Sequence, residues 1–435
     1  MRSTRRTLGR AAGTAAMLLA LSAPVAAAAA TDDGRWYYDV AGLAEAHQQA
    51  TGEGITIGLL DSPINPAASD LVGADVTVHE PSFCATETGG AALPSISADA
   101  AAGAGHASTM AAMLVGTDTG PDGGPGIPAV APGASLRAYT IVIDKACQSP
   151  AGVSPGRDDA IRAAVADGVD IIVVPGSNLF HDAGIIEALR AGVIIVASGG
   201  NYSGAVVESP GDMNGVVATG WIDENVELSA GSSSGDRLGV VAPGAGIRGY
   251  ADDWQSYVLT DGSSNSAAFT AGALALAWSA HPDATGNQIL QALIHTTDGD
   301  VHEPVHDKDW GYGTVNVRSL LSVDPTTYPD ENPFVSDQPM LSPSADEILG
   351  TSDADADEDP QPSEEPAAPA APEQPAEDES TDGALVPVLV GSGVALVLVA
   401  GVTTALVVAR RRRSAGDHRP EHQPQPPTYS GGTHG

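Results

Sequence analysis

The chain has 435 residues, of which 42% are hydrophobic and only 4% aromatic, and carries a formal net charge of −36. That is enough apolar material for one large or two ordinary domains. Only 10 of the 19 Lys and Arg, but 53 of the 55 Asp and Glu, fall in residues 31–409, leaving about −43 on that span. A surface so acidic excludes nucleic acid as a partner and favours solubility outside the cell.

Arg2, Arg5, Arg6 and Arg10 precede an apolar run from Ala11 to Val25 and small residues from Ala26 to Ala30. This is the pattern of an export signal over residues 1–30, cleaved near Ala28 or Ala30, with the Arg5-Arg6 pair also allowing a twin-arginine route. About two dozen residues, including Trp36, Tyr37 and Tyr38, lead to Ile55-Thr-Ile-Gly-Leu-Leu60. That short apolar run predicts a buried parallel strand, which delivers Asp61 at its C-terminal end. The Gly- and Ala-rich stretch 73–104 predicts loop with little regular structure.

Gly105-His106 then opens an apolar helix through Met110, Met113, Leu114 and Val115. Beyond it the periodicity alternates. Strands are predicted at Ser135–Ile143, Val169–Val174 and Val193–Ala197, and helices at Asp158–Ala166 and Ala183–Arg190. Shorter strands follow around Val216–Thr219 and Val240–Ala242, and a last helix near Asn287–His295. The pattern predicts an α/β fold, a mostly parallel central sheet with helices on both faces. Between the last strand and the last helix, Asp261 to Trp278 runs from a small polar turn into an almost wholly apolar helix, which must be buried.

From about Asp330 the composition turns to Pro, Asp, Glu, Ser and Ala, with 15 acidic residues and no Lys or Arg between Asp337 and Asp382. Residues 326–383 therefore read as an extended, self-repelling linker closing a domain of residues 31–325. Ala384 to Ala409 has 26 residues without a charge. At helical rise this reaches ~39 Å, enough for a ~30 Å bilayer core. Arg410 to Arg413 follow at once, so by the positive-inside rule the tail 410–435 is cytoplasmic and residues 31–383 face outward. The two cysteines, Cys84 and Cys147, lie in the exported part, where a disulfide is the default.

Three groups sit where chemistry is feasible: Asp61 at a strand end, His106 at a helix start and Ser264 at a helix N-terminus. The first turn of a helix has unpaired N–H groups and a dipole that favours negative charge, so a serine there is either a cap or a nucleophile. Hydrolysis through a serine needs a hydroxyl, an imidazole to take its proton and a buried carboxylate to fix the imidazole tautomer. The three residue types are all present, and their order along the chain is acid, histidine, serine.

The segments around them resemble those of subtilisin-like serine proteases. Ile57-Gly-Leu-Leu-Asp61-Ser-Pro-Ile-Asn-Pro resembles the family's aspartate motif, and Gly105-His106-Ala-Ser-Thr-Met-Ala-Ala its histidine motif. Val196-Ala-Ser-Gly-Gly-Asn201 is similar to the segment with the oxyanion asparagine, and Gly262-Ser-Ser264-Asn-Ser-Ala-Ala-Phe-Thr-Ala-Gly272 to the serine motif. Val241-Ala-Pro-Gly244 and Gly311-Tyr-Gly-Thr-Val-Asn316 match further landmarks, and the six stand in order over about residues 36–322. The resemblance implies Ser264 as nucleophile, His106 as general base and then acid, and Asp61 as its orienter. It also implies Asn201 as an oxyanion donor beside the Ser264 N–H, and Val174, Pro175, Gly176 and Ser177 as the strand that binds the substrate backbone. No cofactor is implied beyond structural calcium, whose ligands the sequence does not place.

The chain departs from the family at Pro63, Ala107-Ser108, Thr109, Ala268 and Phe269, and at Pro175, which has no N–H to give a substrate. The stretch between Ala30 and Ile55 is too short for the family's folding propeptide. That shortness, the acidic linker, the single C-terminal span and the basic tail resemble the mycosins, membrane-anchored subtilases of actinobacterial type VII secretion. Two readings follow: a membrane-anchored extracellular endopeptidase acting on protein or peptide, or an inactive scaffold of the same fold within a secretion complex. A third, a generic surface binding domain, fits the charge but leaves the motif order unexplained.

Overall fold

The computed structural model describes residues 33–351, except 143–146, 151–156, 178, 203 and 205. The predicted export signal over residues 1–30, the predicted membrane span Ala384–Ala409 and the predicted cytoplasmic tail lie outside the described residues. Among the described residues no helix is long and apolar enough to cross a membrane.

Two short helices, α1 (Trp36–Val40) and α2 (Leu43–Ala46), precede strand β1 (Thr56–Asp61) and a three-residue strand β2 (Val76–Val78). Helix α3 (Gly105–Val115) is followed by a small β3–β4 hairpin (Thr117–Thr119, Pro125–Pro128) and by β5 (Ser135–Thr140). The alternating part is α4 (Arg157–Ala166), β6 (Ile171–Val174), α5 (Asp182–Arg190), β7 (Ile194–Ser198), β8 (Val217–Ile222) and β9 (Leu238–Pro243). A hairpin of β10 (Ile247–Tyr250) and β11 (Tyr257–Thr260) leads into the long helix α6 (Ser263–Ala280), then α7 (Gly286–His295), α8 (Val317–Leu320) and α9 (Ala345–Leu349).

The central sheet has the order β2-β5-β1-β6-β7-β8-β9, and every pair in it is parallel. Successive strand residues point to opposite faces, and the sequence is apolar on both. Ile57 and Leu59 of β1, Ile171 and Val173 of β6, and Ile194 and Val196 of β7 enter one core with α3, α6 and α7. Their neighbours Leu60, Ile172, Val174, Ile195 and Ala197 enter a second core with Ile161 of α4 and Ile185 of α5. The α/β expectation, with helices on both faces of a parallel sheet, is met. Helix α6, apolar on all sides, is buried as its composition requires, against β6 to β9 and α3.

Two expectations need correction. Residues 73–104 are not all loop, because β2 adds the edge strand beside β5, held by backbone pairing that an alternating Val-Thr-Val needs no apolar run to make. The extended linker expected over residues 326–383 is also corrected over the part that is described. Residues 326–351 fold back on the domain: Phe334 is buried in the main core, Asn214 and Ser336 exchange hydrogen bonds, and Arg190 Nε donates to the Ile348 carbonyl. A capping box, Ser344 with Glu347, starts α9. A few anchoring apolar residues and a cap offset the charge that made the segment look unable to fold.

Cys84 and Cys147 form a disulfide, closing a separation of 63 residues. Closure of such a loop stabilises by ~4 kcal/mol on a chain-entropy argument. It fastens the segment after β2 to the segment after β5, where Ala85 and Gln148 exchange backbone hydrogen bonds.

Candidate active site

The parallel sheet presents the C-terminal ends of β1, β6 and β7 at one edge, where open α/β sheets place their working residues. Asp61 is the last residue of β1 and is 8% exposed. Its Oδ1 accepts from the Ser62 N–H at 2.7 Å and its Oδ2 lies 2.7 Å from His106 Nδ1. The loop beyond is tied to α3, since the buried Ser108 hydroxyl accepts from the Asn65 N–H and the Ser62 hydroxyl donates to the Gly103 carbonyl. These bonds fix the start of α3, and so the imidazole, against the strand end.

Burial pulls the His106 pKa down, the Asp61 charge and its hydrogen bond push it up, and the net position is above the ordinary 6.5. With 42% of the side chain open to solvent, the upward push has the stronger physical basis. Since Nδ1 is engaged by Asp61, Nε2 is the nitrogen left for proton transfer.

Ser264 is the second residue of α6, and Gly262 caps the helix with φ +155°, a conformation that favours glycine. Two landmarks shape this turn. The Gly244 carbonyl accepts from the Gly262 N–H at 3.0 Å and from Asn265 Nδ2 at 3.0 Å, and the Val241 and Val315 N–H groups bond to Gly313 and Val241 carbonyls. The Ser264 hydroxyl donates to the Pro175 carbonyl at 2.6 Å, and among the described residues no hydrogen bond joins it to His106. His106, Asn201, Ser264, Asn265 and Tyr250 line one cleft of about 330 Å³.

Asn201 follows β7. Its Oδ1 accepts from the Ser263 N–H at 2.8 Å and from the Ser263 hydroxyl at 3.0 Å. With the acceptor end held twice, the Nδ2 donor end is the one left for a ligand. The Ser264 N–H belongs to the first turn of α6 and has no intrahelical acceptor. On the substrate-strand side, Val174 buries its side chain in the second core, Pro175 is buried, Gly176 is half-buried and Ser177 is exposed. Only the backbone of Val174 is therefore offered to a ligand.

The departures in the motif flanks have structural explanations. Ala107 lies inside α3 and is buried; the Thr109 hydroxyl accepts from the Tyr250 N–H at 3.0 Å, tying α3 to β10. Phe269 is fully buried and packs edge-on against Tyr37 of α1, with ring centroids 6.3 Å apart. Spacing did not single out Ser263, which holds Asn201, or Glu208, whose carboxylate accepts from the Ser177 hydroxyl. Neither position carries a signal within its own segment. Among the described residues no three or more His, Cys, Asp and Glu side chains are grouped as metal ligands.

Residues 52–313 match the model of the Subtilase family. The chain belongs to that family. It is 25% identical over 278 residues to subtilisin DY of Bacillus licheniformis, covering 62% of this chain and 91% of that protein. It is 32% identical over 134 residues to the halolysin-like extracellular serine protease Nep of Natrialba magadii, covering 31% of this chain but only 24% of that protein. Among solved structures, MycP1 from the ESX-1 type VII secretion system superposes with a TM-score of 0.54 at 22% identity, over 69% of this chain and 88% of that one. At that identity the superposition speaks for the fold alone.

Proposed function

We propose that the protein is a serine endopeptidase in which Ser264, His106 and Asp61 form the catalytic triad. The observation that carries this reading is the 2.7 Å contact of His106 Nδ1 with the buried Asp61 carboxylate, in one cleft with Ser264 at the N-terminus of a buried helix. Ser264 Oγ attacks the substrate carbonyl carbon while His106 Nε2 takes its proton. The tetrahedral oxyanion is held by Asn201 Nδ2 and the Ser264 N–H. Collapse breaks the C–N bond as His106 returns the proton to the leaving amine, and water then hydrolyses the acyl-enzyme by the same route.

The Ser264 hydroxyl donates to the Pro175 carbonyl. A substrate N–H that takes that carbonyl frees the hydroxyl to turn toward His106, so Pro175 serves substrate binding through its acceptor alone. The test is a fluorophosphonate probe on the purified protein. Labelling is expected, and is lost in Ser264→Ala; labelling that survives the substitution, or never appears in folded protein, refutes the reading. The bond to Pro175 favours one second reading, an unreactive scaffold of the same fold, which predicts an unlabelled serine and a cellular phenotype unchanged by Ser264→Ala.

The location proposed is the outer face of the cell membrane, anchored by Ala384–Ala409 with residues 410–435 cytoplasmic; a place beside a type VII secretion channel belongs to the same proposal and rests on the acidic linker, the single span and the basic tail of the sequence. Deleting 384–409 is expected to release the protein into the medium. Retention on the membrane after the deletion overturns the anchor.

A further inference from the structure

The ends of β6 and β7 are parallel neighbours, and beyond them the chain forms two walls, Pro175–Ser177 and Gly199–Asn201. One wall holds the Ser264 hydroxyl on the Pro175 carbonyl, the other carries Asn201. In the proposed mechanism the carbonyl of the acyl-side substrate residue lies between Ser264 and Asn201, so these two walls flank that residue.

Glu208 is bonded to both. Its N–H donates to the Gly199 carbonyl at 3.1 Å and its carboxylate accepts from the Ser177 hydroxyl. Gly200, at φ +113°, lets both groups pack against the second wall: a Cβ there would lie 2.6 Å from Ser233 Oγ and 3.2 Å from Glu208 Cδ. The Ser233 hydroxyl is buried, 1% exposed, and has no hydrogen-bond partner among the described residues. The half-buried Glu208 carboxylate likewise takes part in no ion pair among them.

We infer that Glu208, with the Ser177 and Ser233 hydroxyls beside it, forms a subsite for a lysine or arginine side chain on the acyl side of the scissile bond. A half-buried carboxylate with one hydroxyl donor retains acceptor capacity, and a guanidinium or ammonium supplies both the missing charge and the missing donors. The Ser233 hydroxyl offers a further acceptor in the same corner. Glu208 thus acts as a specificity-determining residue, not a catalytic one. Removing one partner of such a pair leaves the other charge partly desolvated and unpaired, so discrimination falls on the charged substrate alone.

The inference rests on the endopeptidase reading for the direction of the bound chain, but its test does not require turnover. Succinyl-Ala-Ala-Pro-X-p-nitroanilides with X as arginine, citrulline or leucine would be titrated against the full chain carrying Ser264→Ala, in detergent. The arginine peptide is expected to bind at least tenfold tighter than the leucine and citrulline peptides, and Glu208→Gln to abolish that gap without weakening leucine. Citrulline probes the charge without altering the protein, which keeps the test decisive should Glu208→Gln fold poorly. Equal or undetectable binding of the arginine peptide, or a preference that survives Glu208→Gln in folded protein, overturns the subsite. An arginine preference in binding, with no hydrolysis by the unsubstituted protein, overturns the endopeptidase reading and leaves the subsite standing.

Discussion

Ser263 holds Asn201 by two hydrogen bonds to the same atom: its N–H and its hydroxyl both donate to Asn201 Oδ1, at 2.8 and 3.0 Å. The same hydroxyl accepts from the Gly200 N–H at 3.2 Å. The residue before the candidate nucleophile therefore aims the candidate oxyanion donor, and the two are linked through one side chain.

That link gives an ordered pair of effects. Asn201→Ala removes the donor itself, and loss of one such donor in a subtilisin lowers turnover by about 10²–10³-fold. Ser263→Ala keeps the backbone donor and loses only the hydroxyl, a hydrogen bond of ~1 kcal/mol, so kcat is expected to fall by roughly tenfold or less with KM little changed. Steady-state kinetics on one peptide substrate ranks the two. A Ser263→Ala loss equal to that of Asn201→Ala would show that the hydroxyl does more than position.

The pH profile follows from the His106–Asp61 pair. Catalysis needs neutral His106, so kcat/KM is expected to rise with pH through a midpoint above 6.5, the direction in which the pKa is displaced. Asp61→Asn removes the charge that raises the pKa and leaves the burial that lowers it, so the midpoint moves to lower pH. Activity also falls by about 10⁴-fold because the imidazole tautomer is lost. The sign for stability is opposite to that for rate. A folded pKa above the unfolded one contributes stability that is complete below the unfolded pKa and is lost as pH rises through the folded one. The pH dependence of kcat/KM and of urea unfolding, measured on both proteins, checks the two signs.

Phe269 stands where the family carries histidine, and its ring lies in the core against Tyr37. Restoring the family residue, Phe269→His, places an imidazole in an apolar site without a built partner and is expected to cost about 2–4 kcal/mol. Urea denaturation measures it. A neutral result would mean that α1 repacks around the smaller ring.

Phe334 tests the corrected domain boundary. It is 7% exposed and stacks edge-on with Tyr312, ring centroids 5.8 Å apart. Phe334→Ala is expected to destabilise the domain by about 3–4 kcal/mol, whereas a residue in an extended linker would give no change. The same denaturation experiment distinguishes the two.

The alternation of apolar runs determined the parallel sheet and its two-sided helical cover, because strands buried on both faces need continuous hydrophobic sequence and α6 needs apolar residues all round. The positions of Asp61, His106 and Ser264 at element ends were equally legible, since a strand end and a helix start are local features. Strand β2 and the fold of residues 326–351 were not, because each depends on backbone pairing or on a few anchors such as Phe334 that composition averages away. The same limit applies at the cleft. Ser263 reaches Asn201 across 62 residues and Ser177 reaches Glu208 across 31, and no spacing within either segment encodes that meeting. The sequence by itself determined which chemical groups stand at the sheet edge. Their mutual distances, the bond of Ser264 to Pro175 and the lone carboxylate between the two walls were decided by the packing of β6, β7 and α6 against one another.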